Sequence, residues 1–150
     1  GNNVARSLAV GCAKLGMDIS VACPKGFEPA ASVMEKVYAY AKDSGAAVEV
    51  TNDAAQAANG ADAVYTDVWA SMGQESQFEE KSKNFLSFQV NAALMAKAKP
   101  DAVFLHCLPA HRGEEVTAEV IDGPHSVVFD EAENRLHAQK AVMAMLMGGK

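Results

Sequence analysis

The chain has 150 residues, 49% of them hydrophobic and 21% charged. That length supports one domain with a real core, and the balance excludes a disordered chain. A formal charge of -6 disfavours nucleic acid, which needs clustered Lys and Arg. No apolar run approaches the ~20 residues that span a bilayer, so no membrane partner is expected. No secretory leader is visible. Cys12, Cys23 and Cys107 are odd in number and lack CxxC spacing. They fit neither a disulfide framework nor a zinc site, and point to a reducing, cytoplasmic compartment.

Small and apolar residues from Asn3 to Leu15 recur at helical spacing, and Gly16 stops the run. This helix starts almost at residue 1, and the chain opens on Gly rather than Met. The reading is therefore of a piece whose first strand, at least, comes earlier. Asp18 to Cys23 is a β-branched run closed by Pro24, hence a strand. Pro29 precedes a helix to about Lys42, ending near Gly45. Ala47 to Val50 reads as a second strand. Asp53 caps a short alanine helix that ends at Asn59-Gly60. Ala63 to Thr66 reads as a third strand, followed by a polar stretch and helical segments to Lys99. Val103 to His106 reads as a fourth strand, broken by Leu108-Pro109. A short helix is expected near Thr117 to Ile121, a fifth strand over Ser126 to Phe129, and a long helix from Asp130 or Glu131. Strands alternating with helices predict an α/β fold: a three-layer αβα sandwich on a mostly parallel, Rossmann-like sheet.

Ligands of such sheets sit at the carboxyl ends of strands. Four unusual clusters fall there: Gly1-Asn2-Asn3, Asp67 to Gly73, His106 to Pro109, and Asp130 to Arg135. The first suits a helix cap, or an amide aimed at a polar ligand. It is not the G-x-G-x-x-G fingerprint, which disfavours a nicotinamide enzyme. The second suits a capped loop around a packed Trp69, or an amino-acid site. In the latter, Asp67 holds an ammonium and the amides of Ser71-Met72-Gly73 hold a carboxylate. A lone strand His or Cys is usually structural. Side by side before a Pro break, His106 and Cys107 become candidates. Acidic residues in the first turn of a helix need no function, whereas Arg135 there suits an anion at the sheet edge or a pair with a helical Glu.

Together these clusters, with Pro24-Lys25-Gly26-Phe27-Glu28-Pro29 and Ala110-His111-Arg112, resemble the ornithine-binding half of ornithine carbamoyltransferase. The motifs run in order over nearly the whole chain. Ser71-Met72-Gly73 and the Cys before Leu-Pro separate this family from aspartate carbamoyltransferase. The resemblance implies transfer of a carbamoyl group from carbamoyl phosphate to the side-chain amine of L-ornithine, giving citrulline and phosphate in arginine metabolism. It implies that Asn3 contacts ornithine and Asp67 binds its amino group. Ser71 and Met72 hold its amino-acid end. Cys107 acts as proton acceptor near the attacking amine, and Leu108 lends a carbonyl. Arg135 contacts carbamoyl phosphate, and His106 and Arg135 serve as partial donors to the oxyanion. A cis Leu108-Pro109 bond and a partly activated Cys107 thiol are expected. No metal and no organic cofactor are implied.

The family's Ser-Thr-Arg-Thr-Arg phosphate signature is absent from these residues. The chain thus reads as residues 1–150 of an acceptor domain without its first strand or its carbamoyl-phosphate-binding domain. The resemblance gives that missing N-terminal domain, and a homotrimer, as partners. Alone, the chain is expected to be inactive. Two alternatives stand beside this reading. One is a carbamoyltransferase with another acceptor, putrescine or N-acetylornithine. The other is a noncatalytic amino-acid-binding module.

Overall fold

The computed structural model describes residues 3–69 and 78–148. Helix α1 (Asn3–Leu15) leads to strand β1 (Ile19–Ala22), α2 (Ala31–Ser44), β2 (Val48–Thr51), α3 (Ala54–Ala58) and β3 (Ala63–Thr66). Then come α4 (Phe78–Phe85), a single 3-10 turn at Leu86–Phe88, α5 (Ala92–Met95), β4 (Val103–His106), α6 (Ala118–Ile121) and α7 (Val128–Met147). Local chemistry explains several boundaries. Gly45 closes α2 at φ 84, a left-handed conformation cheap for glycine alone. Asp53 Oδ1 caps α3, accepting the amides of Ala55 and Gln56 at 2.9 and 3.1 Å.

β1 pairs with β2 and β3 with β4, both parallel, as two separate two-stranded sheets. Each pair has its own core. α1 and α2 cover β1–β2 through Ala9, Ala13, Met34, Val37 and Ala41. Val64 and Phe104 of β3–β4 pack with Val90, Val116, Val120, Ile121 and Val128. No helix among the described residues is long and apolar enough to cross a membrane.

The fifth strand expected over Ser126 to Phe129 does not form. The segment makes one parallel bridge, Ser126 to Phe104, in which the Phe104 amide donates to His125 and the Val127 amide to Phe104. The chain then turns into α7 at Val128. Asp130 and Glu131 lie in the first turn, where the helix dipole favours them, and Phe129 is 77% exposed. The β-branched run predicts a strand, but only Val128 of it reaches the core.

Candidate active site

β3 and β4 run side by side, with Thr66 opposite His106, so their carboxyl ends deliver Asp67 and Cys107 to neighbouring positions. The Cys107 thiol donates to Asp67 Oδ1 at 3.1 Å. The same oxygen accepts the Val68 amide at 2.8 Å. Tyr65 lies two residues before Asp67 on the same strand face, and its hydroxyl stands against the thiol. That hydroxyl donates to Glu131 Oε1 at 2.8 Å, while Glu131 Oε2 accepts the His106 amide at 3.0 Å. Two distant sequence clusters thus meet, joined by Tyr65 and the first turn of α7.

Burial, then the Asp67 hydrogen bond and charge, push the Cys107 thiol up to about 12. Burial and the bond to Glu131 likewise raise Tyr65. The chain's own groups therefore do not supply the partial activation expected of this thiol: the charges that act on Cys107 are the carboxylates of Asp67 and Glu131, and they oppose ionisation.

His106 turns away from this cluster and is 1% exposed. Its Nδ1 accepts the Leu108 amide at 2.8 Å, so the ring proton sits on Nε2. Nε2 then donates to Glu115 Oε1 at 3.1 Å. That oxygen also accepts the His111 amide at 2.7 Å. Burial raises the Glu115 carboxyl, but these donors outweigh it and hold it below the usual range. Leu108 sits at φ 54, a strained conformation for a side chain with a Cβ, costing about 1–2 kcal/mol. The His106 acceptor helps hold that turn. The Leu108-Pro109 bond is cis, as the resemblance implies. Both ring nitrogens of His106 are committed inside the chain, leaving no N–H for an oxyanion. The geometry makes it a support for the Cys107–Leu108 turn.

Asn3 is the first residue of α1 and Arg135 lies on the second turn of α7, both exposed. Neither takes part in the hydrogen bonds that link Asp67, Cys107, Tyr65 and Glu131. Ser71 and Met72 lie outside the described residues. Trp69 packs near Phe85, with ring centroids 6.4 Å apart, and Phe27 meets Phe85 edge-on at 5.0 Å. An open groove of about 420 Å³ lies between α3 and α5. Its Asp53 and Asn91 side chains are already engaged as helix caps. Sequence reasoning missed Tyr65, Glu115 and Glu131. Tyr65 carried a signal in its spacing from Asp67, whereas Glu115 and Glu131 looked like ordinary surface acids.

A parallel α/β chain thus carries a carboxylate–thiol pair at adjacent strand ends, with a buried His–Glu pair supporting the turn beside it. Residues 1–146 match the family described as Aspartate/ornithine carbamoyltransferase, Asp/Orn binding domain, and the chain belongs to it. It is 59% identical to an ornithine carbamoyltransferase of Thermococcus kodakarensis over 149 residues, covering 99% of this chain and 47% of the relative. It is similar to the solved ornithine carbamoyltransferase of Pyrococcus furiosus, at 57% identity and TM-score 0.95, covering 100% of this chain and 48% of that one. It is also similar to an N-acetyl-L-ornithine transcarbamylase structure, at 33% identity and TM-score 0.83, covering 95% of this chain and 44% of that one. The chain spans about half the length of the curated relatives it matches.

Proposed function

We propose that the protein to which this chain belongs transfers the carbamoyl group of carbamoyl phosphate to the side-chain amine of L-ornithine, yielding L-citrulline and phosphate in arginine metabolism. This chain supplies the acceptor half. The observation that carries the reading is the Asp67–Cys107 contact at 3.1 Å on neighbouring strand ends. A carboxylate there suits a substrate ammonium. The amine must shed a proton before it attacks, and Cys107 stands where that proton is handled. An ammonium arriving beside Asp67 offsets the charge that holds the thiol protonated, and draws its pKa down. Once the thiol has released its own proton to solvent, the Cys107 thiolate accepts the amine's proton as the C–N bond forms and the C–O bond to phosphate breaks. Ser71 and Met72 hold the amino-acid end, Asn3 contacts ornithine, Leu108 lends its carbonyl, and Arg135 reaches carbamoyl phosphate. His106 and Glu115 hold the turn rather than donate to the oxyanion.

The remaining half of the longer protein supplies the donor site and the first strand of this domain. Three features support that division. The curated relatives are twice as long. β1 and β3 each have a pairing edge that no described strand takes. Met145, Leu146 and Met147 on α7 are at least 80% exposed, a concentration of apolar surface suited to burial. A homotrimer acting in the cytoplasm completes the reading, and the free thiols of Cys12, Cys23 and Cys107 fit that compartment.

The test is a steady-state assay of the full-length protein with carbamoyl phosphate and ornithine, N-acetylornithine or putrescine. We expect the highest kcat/KM with ornithine, in keeping with 59% against 33% identity to the two kinds of relative. Higher kcat/KM with another acceptor would reassign the substrate. Ornithine binding without citrulline formation would favour the noncatalytic module.

A further inference from the structure

The outer edge of β4 loses its strand partner early. Phe104 exchanges hydrogen bonds with His125 and Val127, but the chain then enters α7. The next amide on that edge, two residues along, is that of His106. A carboxylate takes the place of the missing strand: Glu131 Oε2 accepts this amide at 3.0 Å. Its Oε1 accepts the Tyr65 hydroxyl from β3 at 2.8 Å. One side chain thus pins both strand ends that carry Asp67 and Cys107. It does so from the helix turn that precedes Arg135, since residues four apart share a helix face.

We propose that Glu131 is a positioning residue: its carboxylate locks the start of α7 to the ends of β3 and β4, fixing Cys107 relative to Arg135. The inference rests on the carbamoyltransferase reading, in which Cys107 serves the acceptor and Arg135 the donor. Glu131 touches neither the Cys107 thiol nor Arg135 through a described hydrogen bond. It acts through the Tyr65 hydroxyl and the His106 amide. Free rotation of α7 against the strand ends would misplace the two reactants, and a displacement near 1 Å costs on the order of 10²-fold in rate.

The experiment compares Glu131→Ala, Glu131→Gln and Tyr65→Phe with the wild type in the full-length protein. The readouts are kcat, KM for each substrate, Tm, and hydrogen–deuterium exchange of the peptide containing the His106 amide. In Glu131→Ala, kcat should fall on the order of 10²-fold with both KM values within about threefold. Exchange at His106 should quicken by at least about tenfold. Gln can accept the amide with its oxygen and donate its NH2 to the Tyr65 oxygen. It keeps both links without the charge and should restore kcat to within about fivefold of wild type. Tyr65→Phe removes one link and should lower kcat by about tenfold.

Unchanged kcat and unchanged exchange in Glu131→Ala would overturn the proposal. So would Glu131→Gln as impaired as Glu131→Ala, which would assign the effect to charge. Equal losses in kcat, both affinities and Tm would mark a merely structural role and overturn it too. If Glu131→Ala does not fold, the other pair decides: Gln near wild type and Phe impaired supports the lock, and the reverse order refutes it. If the wild type makes no citrulline, the proposed function falls. His106 exchange in Glu131→Ala then decides alone whether the lock exists.

Discussion

Cys107 offers the sharpest quantitative test. Its thiol sits beside Asp67 and is pushed up to about 12, from an ordinary value of 9.0. At pH 8 that rise cuts the thiolate fraction by about 10³-fold. A thiolate of higher pKa is a better nucleophile, with a Brønsted slope of about 0.4–0.5, which recovers about 15- to 30-fold. Alkylation by iodoacetamide should therefore run about 30- to 60-fold slower than for an unperturbed thiol. Site-resolved mass spectrometry of the full-length protein, read as labelling rate against pH, separates ionisation from access. Poor access lowers the plateau, whereas a raised pKa moves the midpoint. Asp67→Asn removes the charge and the carboxylate acceptor while burial remains, so its midpoint should move down but stay above the ordinary value. A wild-type midpoint near 9, or one that Asp67→Asn does not move, would refute the reasoning.

Other outcomes follow from the same geometry. Glu115→Ala leaves the buried His106 Nε2–H and the His111 amide without their acceptor, and should cost about 1–3 kcal/mol per orphaned donor in denaturant unfolding. Glu115 is held below its unfolded value of 4.5, so its stabilisation is present above that pH and lost as pH falls. Acid titration of Glu115→Gln should lack this component. Cys107 behaves oppositely: its folded value lies above the unfolded one, so stability should decline as pH rises from about 9 to about 12, and Cys107→Ser should lessen that decline, leaving the part due to Tyr65, which is also raised. Phe104→Ala, at a position 0% exposed, should destabilise by about 3–5 kcal/mol, read as a lower Tm. Asp67→Asn should weaken ornithine binding, measured by calorimetry, far more than carbamoyl phosphate binding. Equal losses for both ligands would remove Asp67 from the ammonium site.

Local chemistry was legible in the residues themselves. Asp53 caps α3 because its carboxylate reaches amides two and three residues on, and Gly45 ends α2 because it alone takes φ 84 without strain. Short strand-like runs before Asp67 and Cys107 marked both as strand-end residues, which sufficed to propose a shared site. The cis bond at Leu108 was legible only through the motif's resemblance to a family. Everything that depends on partners far along the chain needed the tertiary structure. Val127-Val128-Phe129 has strand-forming side chains, yet helix α7 begins at Val128, because docking of the helix decides where the ladder stops. The carboxylates around Cys107 were hidden in the sequence for the same reason. The sequence places Arg135 near the thiol only by analogy, whereas folding brings Asp67 from 40 residues away to 3.1 Å. Glu115 and Glu131 look like surface acids in the sequence. Their roles arise because His106 and Tyr65 present donors that must be satisfied where the sheet ends, a condition set only when the strands and helices pack.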